Sequence, residues 1–176
     1  MGKPGQPKKV LLFIATLFKE QDAYYKAIEI LEDKFGQILV ESSPKLWNYS
    51  DYYTPELGSP IKRRFIFFKN LISEADIAKI KIQTNQIEEE LSKHGKRTIN
   101  LDPGYIGLAK LVLATTKDYS HRIYLSNGIY AEVTLIFKNN SFMPNINTYR
   151  DYAEEEYIKL FNLARTIYKD LLLGKN

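Results

Sequence analysis

The unbroken apolar run Val10-Leu11-Leu12-Phe13-Ile14-Ala15 leads through Thr16-Leu17-Phe18 directly into Lys19 and Glu20. It is far short of the ~20 apolar residues a membrane-spanning helix needs. The preceding Met1-Gly2-Lys3-Pro4-Gly5-Gln6 does not have the form of a signal peptide, and Gln6 stands where myristoylation wants Ser or Thr. The dense β-branched and aromatic content makes Lys8–Phe18 a strand. Ala23, Tyr24, Ala27, Ile28, Leu31 and Phe35 then share one face of a helix over Gln21–Phe35, which Gly36 stops. Gln37–Glu41 reads as a short strand, Ser42–Pro60 as a long loop, and Ile61–Leu71 as a strand through Phe65-Ile66-Phe67-Phe68. A second helix opens at Ser73 as N-cap, with Asp76 completing a capping box. Ile77, Ile80, Thr84, Ile87 and Leu91 form its buried stripe, and Gly95 ends it. Arg97–Leu101 is a strand, and Pro103-Gly104 has the residues of a type II turn.

Beyond that turn, Ala109–Thr116 is a strand or a short helix and Ser120–Phe137 a hairpin. The last helix begins near Thr148, with Asp151 three residues on, and runs to Leu173. Tyr157, Leu160, Phe161, Ala164, Ile167, Tyr168 and Leu171 point inward. The first six elements follow the order β-α-β-β-α-β. That predicts an α+β fold with a ferredoxin-like split unit, extended by the C-terminal hairpin and the long helix. The alternative is an α/β doubly wound parallel sheet. It is less favoured because no helix joins the second and third strands.

A chain of 176 residues is one ordinary domain and buries roughly 70% of its unfolded surface without metal or disulfide staples. The expected organisation is a flexible basic tail over 1–9 and a single domain over 10–176. There is no cysteine, which favours the cytoplasm and removes any thiol nucleophile or Cys-based zinc site. His94 and His121 are the only histidines, too few for a multi-histidine metal site. The net charge of +4 invites a nucleic-acid reading. Three of those charges are Lys3, Lys8 and Lys9, so the body carries only +1.

The hairpin gives the strongest local expectation. Ser126-Asn127-Gly128 makes a good three-residue loop with Gly in the left-handed position. It sets Tyr124 against Tyr130, Ile123 against Ala131 and Arg122 against Glu132. Alternation then places Leu125, Ile123, Ile129, Ala131, Val133, Leu135 and Phe137 on a core face. Arg122, Tyr124, Tyr130, Glu132 and Thr134 occupy the other. That polar face is either a solvated sheet surface with a cross-strand ion pair of roughly 0.2–1 kcal/mol or the floor of a ligand site.

Other clusters also have two readings. Asn100 and Asp102 at a strand end hold a metal or ligand hydroxyl, or simply stabilise a turn. Lys81, Asn85 and Glu88 line a helix flank that reaches a ligand or faces solvent. One of Arg63 and Arg64 must point to a packed or functional face. The loop Asp51-Tyr52-Tyr53-Thr54-Pro55-Glu56-Leu57-Gly58 is a lid or a surface loop pinned by its tyrosines. His121 reads as a packed, satisfied histidine. No P-loop is present: Gly95-Lys96-Arg97-Thr98 lacks the upstream glycine and has Arg where Ser or Thr belongs. Neither Gly-x-Gly-x-x-Gly nor Gly-x-Ser-x-Gly occurs.

Taken together, Arg97-Thr98-Ile99-Asn100-Leu101-Asp102-Pro103-Gly104-Tyr105, Leu113-Ala114-Thr115-Thr116-Lys117-Asp118, His121-Arg122-Ile123-Tyr124-Leu125, Gly128-Ile129-Tyr130-Ala131-Glu132-Val133-Thr134-Leu135 and Thr148-Tyr149-Arg150-Asp151-Tyr152 resemble a prokaryotic family known as domain of unknown function 4416. The resemblance covers nearly the whole chain and brings no established activity. Some members carry a GTP-binding label, which the missing P-loop does not support. The signature residues are mainly charged or polar, among them Asp51, Glu56, Arg64, Lys81, Asn85, Glu88, Arg97, Asn100, Asp102, Lys117, Arg122, Glu132 and Thr134. The expectation is therefore a site for a small anionic, phosphorylated ligand. Arg97, Lys117 and Arg122 bind the anion, with Arg64, Lys81, Asn85, Asn100 and Thr134 also in contact. Asp102 and Glu132 orient it, act as acid or base, or hold Mg²⁺. Tyr124 and Tyr130 stack or donate hydrogen bonds. Whether the protein is an enzyme stays open. The rivals are an RNA-binding module stacking bases on an aromatic sheet and a partner-binding or homodimeric scaffold built on the last helix.

Overall fold

β1 (Val10–Phe18) is buried along its whole length, because helices cover both faces of the sheet at whose centre it lies. The computed structural model describes residues 2–174. After β1 come α1 (Gln21–Phe35), β2 (Ile38–Glu41), β3 (Lys45–Leu46), α2 (Thr54–Leu57), β4 (Lys62–Ile72), α3 (Ile77–Glu90), β5 (Ile99–Ile106) and β6 (Lys110–Thr115). The chain closes with β7 (Ile123–Ser126), β8 (Ile129–Lys138), β9 (Ser141–Pro144) and α4 (Glu155–Leu172). The main strand order is β2-β4-β1-β5-β6-β8-β7, with β3 on β4 and β9 on β8. Every pairing is antiparallel, so the doubly wound parallel alternative falls. The β2-β4-β1-β5 half is compatible with the ferredoxin-like split unit. Among the described residues no helix is long and apolar enough to cross a membrane.

Period-two alternation along β1 sorts its side chains into two cores. Val10, Leu12, Ile14 and Phe18 pack with Tyr24, Ala27 and Leu31 of α1 and with Ile77, Ile80 and Ile87 of α3. Leu11, Phe13 and Ala15 pack on the opposite face, with Phe65 and Phe67 of β4 and with Tyr157, Phe161, Ala164 and Tyr168 of α4. A smaller cluster of Leu17, Leu57 and Ile61, with Trp47 and Tyr53 against it, anchors the 42–60 connection.

Several local expectations are corrected. Pro103-Gly104 is not a turn but the interior of β5. Gly104 is required there because a Cβ would lie 2.5 Å from both Phe13 Cζ and the Val112 carbonyl oxygen. Ser73 caps a 3₁₀ turn over Glu74–Asp76 by accepting from the Ala75 N–H, and the capping box with Asp76 is not made. α3 ends at Glu90, before Gly95. The last helix starts at Glu155, not Thr148, and Asp151 is buried in a preceding 3₁₀ turn.

The hairpin turn is the two-residue Asn127-Gly128, with φ of 52° and 75°, as a type I′ turn demands. An unpaired Leu125 restores the expected Tyr124–Tyr130 and Ile123–Ala131 register. A second irregularity leaves Thr134 unpaired between Val112–Val133 and Leu111–Leu135. An extra residue shifts alternation by one. Ile129 and Ala131 therefore join the α1/α3 core while Leu135 and Phe137 join the α4 core. The predicted single core face does not exist: Ile123 is 71% exposed, while Arg122, Glu132 and Thr134 of the supposed polar surface are buried.

Candidate functional site

β5 and β6 pair only through Gly104, Tyr105 and Ile106. Beyond them the strands separate, and among the described residues the Ile99–Pro103 edge has no strand partner on that side. Buried backbone groups need partners, and at Leu101 two α3 side chains supply them. Lys81 Nζ donates to the Leu101 carbonyl at 2.9 Å, and the Leu101 N–H donates to Glu88 Oε1 at 2.5 Å. A proline in the strand is tolerated where the second neighbour has not yet joined.

The opening holds a cavity of about 630 Å³, within the range of small-molecule sites. Its floor is Asn100 and Asp102 of β5 with Lys81, Asn85 and Glu88 of α3. One wall is Leu113–Lys117 at the end of β6, with Glu132 of β8. The rest of the lining is largely aromatic, from Trp47, Tyr49, Tyr52 and Tyr53 of the 42–60 connection and from Tyr149 and Tyr152 before α4. Asp151 ties this lining together. Its Oδ2 accepts from Arg63 Nη2 at 2.7 Å and from Trp47 Nε1 at 3.0 Å. The connection is latched at two further points, by Glu56 accepting from Arg97 Nε at 2.9 Å and by Lys117 Nζ lying 4.3 Å from the Tyr52 ring centroid.

Most charges around the cavity are already paired. Lys81 meets Asp102 at 3.2 Å, Arg97 meets Glu88 at 3.2 Å, and Arg122 behind the wall meets Glu132 at 2.8 Å. Arg97 also donates to Asn100 Oδ1 at 2.9 Å, and Asn100 Nδ2 to Asp102 Oδ2 at 2.7 Å. Burial works to raise the Asp102 carboxyl, but Lys81, Arg63 and the Asn100 hydrogen bond outweigh it and hold it below the ordinary 3.8. Glu88 goes the other way: burial, reinforced by the Asp102 charge, lifts it above 4.5 despite Lys81 and Arg97. Burial and the nearby Glu132 push the Tyr149 hydroxyl up to about 12. It therefore stays protonated at neutral pH while accepting from Arg122 Nη2 at 2.6 Å.

Of the residues predicted from sequence, Lys81, Asn85, Arg97, Asn100, Asp102, Lys117 and Glu132 border this one cavity. Arg122 and Thr134 do not: each is buried behind Glu132, Thr134 Oγ1 lying 3.2 Å from Glu132 Oε1. Arg64 lies elsewhere, bonded to Glu41 and to the Ser42 carbonyl over the Tyr24 ring. Tyr124 and Tyr130 form an edge-to-face pair on the outer hairpin, away from the cavity. His121 Nε2 lies 3.2 Å from Glu132 Oε2. Arg63, Trp47, Tyr149 and Asp151 were not singled out as site residues. In the sequence Trp47 shows only as part of the long 42–60 loop, Arg63 in the Arg63-Arg64 pair, and Tyr149 and Asp151 in the Thr148–Tyr152 motif. Among the described residues no group of three or more His, Asp or Glu is placed to hold a metal ion. The two carboxylates considered for Mg²⁺ are each held by cationic side chains instead.

A family model described as a domain of unknown function, DUF4416, matches residues 8–168. The chain belongs to this family. No match is found among the curated proteins, and none among the solved structures. The DUF4416 match spans every element that builds the cavity, from Trp47 to Tyr152.

Proposed function

We propose that this DUF4416 protein, acting in the cytoplasm, binds a small anionic, phosphorylated ligand in the cavity between β5 and β6. One observation carries the reading: the cavity's cationic donors exceed what its own carboxylates use. Arg63, Lys81, Arg97, Lys117 and Arg150 border it against Glu88, Asp102, Glu132 and Asp151; with Arg122 on Glu132 and Glu56 on Arg97 counted as well, six cations still face five carboxylates. Among the described residues Lys117 and Arg150 form no ion pair. Arg63 is 5% exposed, yet its Nε and Nη1 have no hydrogen-bond partner, nor has the Tyr152 hydroxyl. Buried polar atoms of this kind are ordinarily satisfied. The rings of Trp47, Phe65 and Tyr152 lie 5.6–5.9 Å from the Arg63 guanidinium and hold it in place. In this reading Lys117 and Arg150 receive the anion at the rim, and Arg63 supplies positive potential from the wall.

The test is a thermal-shift screen of the purified protein against inorganic phosphate, nucleotides, sugar phosphates and carboxylates, with and without Mg²⁺. A ligand at 100 times its Kd raises Tm by about 5–11 °C for a chain of this size. Lys117→Ala is expected to weaken the best hit by about tenfold or more, while moving the free protein's Tm by no more than about 2 °C. A flat screen across all anions, or a hit indifferent to Lys117→Ala and Arg150→Ala together, refutes the proposal.

A further inference from the structure

Resting on the anion reading, the floor of the cavity says what else the ligand must carry. Asp102 has two carboxylate oxygens with about four acceptor positions between them. Lys81 and Asn100 each occupy one. Its side chain is 30% exposed and borders the cavity, so acceptor capacity remains open to a ligand. Lys81 Nζ has three donors. The Leu101 carbonyl and Asp102 Oδ1 take two of them. The two groups that carry this spare acceptor and spare donor are held together by their own 3.2 Å contact, side by side on one cavity floor.

A group that fits this pair must donate and accept at once. A carboxylate or a deprotonated phosphate oxygen cannot donate to Asp102. An ammonium cannot accept from Lys81, and the positive charges of Lys81 and Arg63 oppose it. A hydroxyl does both. We infer that the ligand is a hydroxyl-bearing phosphate ester, a polyol or sugar phosphate, with one hydroxyl seated between Asp102 and Lys81 and its phosphate at the Lys117 and Arg150 rim. The aromatic lining suits the apolar face of a small polyol chain or sugar ring, which leaves the hydroxyl edge for the polar floor.

The experiment measures affinity of the full-length protein by calorimetric titration with four probes: inorganic phosphate, n-propyl phosphate, glycerol 3-phosphate and O-phosphoethanolamine. A hydrogen bond to a charged group corresponds to about tenfold or more in affinity. Glycerol 3-phosphate is therefore expected to bind at least about tenfold tighter than n-propyl phosphate, which has a similar carbon chain and no hydroxyl. O-phosphoethanolamine is expected to gain nothing over n-propyl phosphate. In Asp102→Asn the glycerol 3-phosphate advantage should shrink to less than about threefold; the wild-type comparison stands on its own if that variant does not fold. Equal binding of the propyl and glycerol esters overturns the hydroxyl inference and leaves anion binding standing. Preference for O-phosphoethanolamine overturns it in favour of an ammonium ligand. No binding by any of the four overturns the hydroxyl inference, while the anion reading falls only if the thermal-shift screen across all anions is flat as well.

Discussion

Asp102 and Glu88 sit under one cavity and are driven in opposite directions by neighbours they partly share. Both are penalised by burial. Asp102 is rescued by direct contact with Lys81 and Asn100 and by the field of Arg63, whereas for Glu88 burial prevails, with the Asp102 charge adding to it. The consequences for stability have opposite signs. Asp102, with its folded pKa below 3.8, stabilises the protein above that value. This contribution is lost as pH falls through the lowered folded pKa. Glu88, with its folded pKa above 4.5, contributes most when protonated, below that value. Its contribution is lost as pH rises through the raised folded pKa. Melting curves from pH 2.5 to 8 should therefore show the wild type losing stability relative to Glu88→Gln as pH rises past about 4.5. Glutamine retains an oxygen to accept from the Leu101 N–H. A wild-type-minus-variant difference that is independent of pH would show that Glu88 titrates alike in the folded and unfolded chain, against the raised value.

Among the elements, β5 carries the greatest constraint. One edge pairs with β1 from Ile99 to Ile106. Its other edge is shared between β6 at the C-terminal end and the Lys81 and Glu88 side chains at Leu101. The split that makes the cavity is therefore stabilised from α3. At the branch point Gly104 brings β5 against the Phe13 ring and the Val112 carbonyl. A methyl group there meets backbone that cannot rotate away. Gly104→Ala is expected to lose roughly 1–3 kcal/mol, read as a lower urea midpoint with an unchanged m-value. A variant as stable as wild type would mean that the two strands slide apart at little cost. The 42–60 connection is held differently, by Trp47 on Asp151, Glu56 on Arg97 and Tyr52 under Lys117. Two of those contacts engage cations that an entering anion would also seek, so the loop is the element most directly coupled to occupancy of the site.

In the whole molecule, α4 closes the second core. Tyr157, Phe161, Ala164 and Tyr168 cover Phe13, Phe65 and Phe67, and the Tyr168 hydroxyl donates to the Lys9 carbonyl at 2.7 Å. The apolar face of this helix, expected to point inward, is thus committed to its own sheet. Deleting residues 155–176 would expose those phenylalanines as one contiguous apolar face. The truncated chain is expected to lose its cooperative thermal transition and to elute as aggregate in gel filtration. A monomer with a sharp transition would show that the α1/α3 layer suffices.

Much of the architecture was legible in local pattern. The α1 bounds followed from a 3.6-residue apolar stripe ended by Gly36, and β1 and β4 from apolar runs dense in β-branched and aromatic residues. Pairing of Tyr124 with Tyr130 was also set locally, although an Asn127-Gly128 turn and an unpaired Leu125 reached it by another route. Seven of the predicted polar residues border one cavity because charged side chains placed on buried strands and helix flanks must converge on partners rather than on solvent. Non-local events were invisible in the sequence. Thr134 shifts the alternation of β8 only because β6 is its neighbour. Asp151 is recruited away from a helix cap by Arg63, which lies 88 residues earlier. The sequence by itself determined which segments are strands and helices and that their polar residues are too many for solvated faces alone, since propensity and periodicity act within a few residues. Only the tertiary structure decided which charges neutralise one another and which stay open, because ion pairing and cavity formation depend on distances that the folded chain alone brings within reach.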